Sequence, residues 1–113
     1  MIAITTRFVG NCAVLDCSGK LTAGPGVATL RTSVREAVSR GYRRIVLNMK
    51  EVELTDSCGI GELVSSMTHT RSQGSQLVLL NLNKYTERLL MITKLLPVFE
   101  IHSDEAAALS GSR

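Results

Sequence analysis

The stretch from Arg44 to Gly61 constrains the fold more than any other part of the chain. Ile45-Val46-Leu47 is an uninterrupted apolar run, which suits a central strand (Arg43 to Met49) buried on both faces of a sheet. A polar segment, Lys50 to Thr55, separates it from a helix predicted over about Cys58 to Gln73. Ser57 stands at the N-cap position of that helix, where its hydroxyl can accept from a free backbone N–H. Asp56 adds a negative charge at the positive end of the helix dipole. Gly59 and Gly61 are unusual there, because glycine inside a helix costs about 1 kcal/mol relative to alanine. A helix start stripped of side chains lets something approach its backbone. The stretch therefore reads as a docking surface built around an exposed serine.

The flanking segments alternate in type. Ile2 to Phe8 and Cys12 to Cys17 read as strands joined by a turn at Val9-Gly10-Asn11. Ser18 to Gly26 holds three glycines and Pro25 and reads as a loop. A helix is predicted from about Gly26 to Arg40, with Val27, Leu30, Val34, Ala37 and Val38 in one apolar stripe and Gly41 as its stop. In the helix after Ser57, Ile60, Leu63, Val64 and Met67 form the core stripe, leaving Glu62, Ser65, Ser66 and His69 outward. Gln76 to Leu80 is a fourth strand. Asn83 caps a helix to about Thr93 whose Leu89, Leu90 and Ile92 face inward. Val98 to Ile101 is a short last strand after Pro97. Ser103 caps a final helix over Glu105 to Leu109, and Ser110 to Arg113 is a frayed tail. The order ββαβαβαβα predicts an α/β fold, a mixed sheet of four to five strands with about four helices. With 113 residues there is room for one domain, its core over about 2–109.

Composition narrows the function. A hydrophobic fraction of 44% with 20% charged residues fits a globular chain and excludes a disordered one. Aromatics are 4% with no Trp, which argues against a base-stacking nucleic-acid surface. The net charge of +3 includes an Arg40, Arg43, Arg44 cluster that reads as a solvated helix end, so no direct nucleic-acid contact is expected. No apolar run approaches the roughly 20 residues of a membrane span, and no signal peptide opens the chain, so a cytoplasmic protein is expected. Cys12, Cys17 and Cys58 lack metal or disulfide spacing, and His69 and His102 are isolated. No metal or cofactor is expected.

Asp56-Ser57-Cys58-Gly59-Ile60-Gly61, after a strand and a polar segment, resembles the D-S-[ST]-G-[LIV]-[GA] signature of STAS domains, and more narrowly the bacterial anti-sigma factor antagonists. The resemblance covers about Ile2 to Leu109. It implies that Ser57 is the residue phosphorylated by a partner kinase. It also implies a partner surface formed by Asp56, Ser57, Cys58, Gly59 and Gly61 together with Lys20, Leu21 and Thr22 of the loop after the second strand. Lys20 stands where many antagonists carry an acidic residue, and Cys58 where Ser or Thr is usual. The implied partners are an anti-sigma factor with serine-kinase activity and a phosphoserine phosphatase. The protein itself would be a non-enzymatic monomer or weak homodimer. The alternative is a STAS scaffold or accessory subunit of a stress-sensing or transport complex. An enzyme built on Ser57 or Cys58 with His69 or His102 lacks support, since G-x-S-x-G is absent.

Overall fold

Strands Ile2–Val9 (β1) and Cys12–Leu21 (β2) form an antiparallel hairpin in which Val9 faces Cys12 across Gly10-Asn11. Gly10 supplies the positive φ, 61°, that a tight two-residue turn needs at its first central position. The computed structural model describes residues 2–110. After the hairpin come α1 (Pro25–Ser39), β3 (Arg44–Thr55), α2 (Ser57–Ser72), β4 (Gln76–Leu80), α3 (Lys84–Ile92), β5 (Glu100–His102) and α4 (Glu105–Ser110). The five strands lie side by side in chain order, and β2 to β5 run parallel. The mixed α/β sheet with four helices is the one expected.

Burial follows from the alternation of side chains across the sheet. Ala13, Leu15, Ile45, Leu47, Leu77 and Leu79 form one face with Leu30 and Val34 of α1, Leu63 of α2 and Leu90 of α3. Val14, Val46, Val78 and Leu80 form the other face, which Ala108 of α4 covers. Three helices therefore pack on one side and a single short one on the other.

Several boundaries differ from the sequence reading, each for a physical reason. β2 continues to Leu21 and β3 to Thr55, so the supposed loop Ser18–Leu21 and the polar segment Lys50–Thr55 are paired strands. Their ladder breaks register between Asp16 and Ser18 and again between Gly19 and Lys20, with Gly19 at φ 110°. Such irregularities hide a strand from a period-2 reading. Ile92 points outward at 69% exposure, because the sheet is reached by Leu90 and, half-buried, Leu89. Pro97 lies in a 3-10 turn over Leu96–Val98, which moves the last strand to Glu100–His102. Asp104 rather than Ser103 caps α4, accepting from the Ala107 amide at 3.0 Å. Ser110 belongs to that helix, and the rest of the expected tail lies outside the described residues.

Arg44 is not a solvated helix end but is 5% exposed. Its guanidinium pairs with Glu100 and donates to the Ala108 carbonyl at 2.6 Å, while Glu100 also meets His102 at 2.7 Å. Arg7 makes a second anchor, bonding Asp16 at 2.6 Å and Glu105 of α4 at 2.8 Å. A six-residue helix does not stand alone in water, so α4 depends on these ties as well as on Ala108. Arg7 holds the carboxyls of Asp16 and Glu105 below their ordinary values of 3.8 and 4.5, against the opposing pull of burial. Burial alone raises the Glu100 carboxyl, but hydrogen bonds from Arg44 and His102 outweigh it and lower the net value.

The sign follows. Carboxyls depressed in the folded state stabilise it above their unfolded values, and that contribution is lost as pH falls through the folded ones. The urea midpoint should therefore drop between about pH 5 and pH 3. Arg7→Met should flatten this acid limb by returning Asp16 and Glu105 toward ordinary values. An equally steep limb in that variant would show that these pairs do not carry it.

Candidate functional site

The strand ends that carry the motif are built by the long β2–β3 pair, which continues to Leu21 and Thr55 after β4 has finished opposite Asn48. Thr55 is fully buried and meets the Thr86 hydroxyl of α3 at 3.1 Å, so it does not present a second surface hydroxyl. Asp56 then turns the chain with extended backbone (φ −106°, ψ −173°), and α2 begins at Ser57.

Asp56, not Ser57, is the N-cap. Its Oδ1 accepts from the Gly59 amide at 2.9 Å, and its Oδ2 accepts from the Ala23 amide at 3.0 Å. These two bonds, Gly59 first, hold its carboxyl below the usual aspartate range. Aspartate caps as well as serine does and has a second oxygen to offer the neighbouring loop. Ser57 consequently sits one position into the helix. Its side chain is exposed, and the hydroxyl makes no hydrogen bond to any described residue.

The two motif glycines are different in kind. A Cβ on Gly59 would stand 2.2 Å from the Leu21 carbonyl oxygen and 2.8 Å from Thr55, so this glycine lets α2 seat on the end of β2. Gly59 is buried and offers a partner nothing directly. Gly61 is exposed with nothing within 4 Å of its would-be Cβ, so the fold itself does not require it. Leu21 is also fully buried, which removes its side chain from the expected partner surface. Lys20 and Cys58 are exposed and Thr22 is half-buried. The surviving surface joins Lys20 and Thr22 to Asp56, Ser57, Cys58 and Gly61 across the Asp56–Ala23 bond.

Behind it lies a polar cluster that a two-sided helix reading misses. Glu62 and Ser66, expected outside, are buried at 3% each. Arg31 of α1 bonds Glu62 Oε1 at 2.8 Å, the Ser66 hydroxyl donates to Oε2 at 2.8 Å, and Thr70 donates to the Ser66 carbonyl at 2.7 Å. The i, i+4, i+8 spacing of Glu62, Ser66 and Thr70 was the available signal. It marks a second buried stripe, where α2 packs on α1.

Chemically the site is a free hydroxyl on a smooth helix start. The neighbouring carboxylate is committed to backbone amides rather than to the Ser57 oxygen, so the chain supplies no base bonded to that hydroxyl. Cys12 and Cys17 are buried, burial pushing the Cys17 thiol up to about 12. Among the described residues no cluster of three His, Cys, Asp or Glu side chains is placed to hold a metal ion. None of the described helices is long and apolar enough to cross a membrane.

The chain is thus a small α/β domain that offers an unbonded serine at the start of a helix. The profile of the STAS domain family matches residues 3–108, and the chain belongs to that family. It is 32% identical to a Thermotoga neapolitana protein described as a candidate anti-sigma factor antagonist, over 66% of each chain. In fold it resembles the crystal structure of a Thermotoga maritima protein described likewise, with TM-score 0.86 at 23% identity over 96% of this chain and 92% of that one. It also resembles phosphorylated SpoIIAA, a Bacillus cell fate determinant, with TM-score 0.74 at 21% identity over 98% and 100%.

The two glycines make a paired prediction. Gly59→Ala should destabilise the fold by about 1–3 kcal/mol, the range for forcing atoms into a packed region. Gly61→Ala should instead stabilise it by about 0.5–1 kcal/mol. Urea unfolding of both variants checks this, and equal effects would remove the distinction.

Proposed function

We propose that the chain forms a single STAS domain with its core over about residues 2–109, acting as an anti-sigma factor antagonist switched by phosphorylation of Ser57. Unphosphorylated, it binds an anti-sigma factor with serine-kinase activity and so releases a sigma factor. Phosphorylation by that kinase ends the binding, and a phosphatase restores it. The module performs no chemistry of its own. The observation that carries this reading is the exposed Ser57 hydroxyl, left unbonded because Asp56 takes the cap. The relative described as a candidate antagonist supports the partner class.

The energetics suit a binding switch. A phosphoserine adds about −1.5 to −2 charges and three strong acceptors near neutral pH. At a helix start the dipole and free amides tolerate that anion, so the fold survives. At an interface each added like-charge pair about 5 Å away costs roughly 3 kcal/mol at an effective dielectric of 20. Every 1.4 kcal/mol is about tenfold in affinity, so one phosphate suffices to abolish a tight complex.

The test is binding of wild type, Ser57→Ala and Ser57→Asp to each candidate anti-sigma kinase of the same genome. Wild type and Ser57→Ala should bind alike, and Ser57→Asp at least a hundredfold more weakly. Kinase and ATP should label wild type at Ser57 and leave Ser57→Ala unlabelled. Equal binding by all three would reduce Ser57 to a helix residue and favour the scaffold role.

A further inference from the structure

We infer that Asp56 is a latch that sets the position of the Thr22–Gly24 loop against the start of α2, and so assembles the docking surface from two distant chain segments. The inference rests on the reading of Ser57 as the centre of that surface. Asp56 is a positioning residue here, acting through its backbone partners and not through the Ser57 hydroxyl.

The geometry is specific to a carboxylate. One oxygen holds Gly59 in the first turn of α2 and the other holds Ala23, 33 residues earlier in the chain. Serine and threonine have a single side-chain oxygen, and asparagine presents an acceptor on one side only, its NH2 facing a second donor badly. Aspartate is thus the one good N-cap that satisfies two converging amides. Its backbone amide adds a weaker tie to the Leu21 carbonyl at 3.3 Å.

The loop needs such a latch. The β2–β3 ladder ends at Leu21–Thr55, and Ala23, Gly24 and Pro25 beyond it are exposed. Gly24, the N-cap of α1, has no side chain to cap with and takes φ 109°. Among the described residues no other side-chain hydrogen bond reaches Thr22, Ala23 or Gly24. The ladder places Lys20, whereas Thr22 beyond it keeps its spacing from Ser57, Cys58 and Gly61 through one carboxylate. The depressed Asp56 carboxyl agrees, since both amides stabilise its ionised form.

Removing one donor isolates the latch from the cap. Ala23→Pro deletes the loop amide and leaves the Gly59 bond in place, while Ala23→Gly keeps the amide and serves as control. Ala23→Pro should return the Asp56 titration, followed by NMR, toward the ordinary value of 3.8, and Ala23→Gly should not. Ala23→Pro should also bind the anti-sigma kinase at least tenfold more weakly than wild type, with Ala23→Gly unchanged. Should Ala23→Pro fail to fold, Asp56→Asn carries the test. It keeps one oxygen for the cap, so the Ala23 amide should exchange at least tenfold faster while the Gly59 amide stays protected.

An unmoved Asp56 titration in folded Ala23→Pro, or unchanged Ala23 exchange in Asp56→Asn, overturns the latch. So does wild-type affinity in Ala23→Pro when Ser57→Asp has lost binding, and that result leaves the Ser57 reading standing. Full affinity in Ser57→Asp overturns the Ser57 reading instead, and the two partner-free readouts then decide the latch by themselves.

Discussion

The seating of α2 on the end of β2 is the contact on which the rest of the site depends. It needs a residue without a side chain at position 59, because the Leu21 carbonyl already fills the space a Cβ would take. That approach is possible only because β2 and β3 run on beyond β4 as a two-stranded ledge, carrying Leu21 beside Thr55. Once the helix is seated, the other placements follow. Asp56 lies between the loop amide and the helix amide, Thr55 is pressed against Thr86 of α3, and Ser57 is left facing outward. A surface of such modest size is thereby tied to the sheet, α1 and α3 together. Arg31 and Glu62 strengthen the tie from the α1 side, where a buried carboxylate needs its partner.

The opposite face of the sheet solves a different problem. Among the described residues only the short α4 covers it, and its apolar contribution is small. Arg7 and Arg44, on strands at different distances from that helix, reach Glu105 and the Ala108 carbonyl. The polar chain continues inward, since Asn48 donates to Asp16 at 2.8 Å and Asn81 donates to Asn48 at 3.1 Å. Buried polar groups are tolerable when every member is paired, and such a network fixes geometry where apolar packing alone would let a short helix slide. The helix-rich face and the network face thus divide the work: one supplies the core, the other supplies register.

How much of this was legible in the sequence depended on whether a signal was local. The apolar run Ile45-Val46-Leu47, the Gly10-Asn11 turn and the Asn83 cap all act within a few residues, and each appears where the pattern put it. What failed depended on contacts between distant segments. Lys20 and Leu54 look like loop residues until the β2–β3 ladder pairs them as outward positions of neighbouring strands. Asp56 beats Ser57 to the cap because Ala23, which no local pattern links to it, offers a second donor. Glu62 and Ser66 look solvated on a one-sided helix and are buried on a helix packed against both sheet and α1. The family motif points to Ser57, which the fold leaves exposed, yet it does not separate Gly59, required by the fold, from Gly61, which the fold leaves free.

That separation bears on how a modification at Ser57 is read. If the fold were the sensor, the added charge would have to disturb a buried contact, and Ser57 makes none. Gly59 and Thr55 nearby are buried, and Asp56 is bonded to the Gly59 amide rather than to Ser57. In the proposed switch the charge would instead meet solvent or a partner covering the helix start, where water is excluded and the effective dielectric falls. The sensitivity of the proposed switch therefore resides in the complex. On the proposed reading the free domain keeps its stability in either state, so the same molecule could cycle between them.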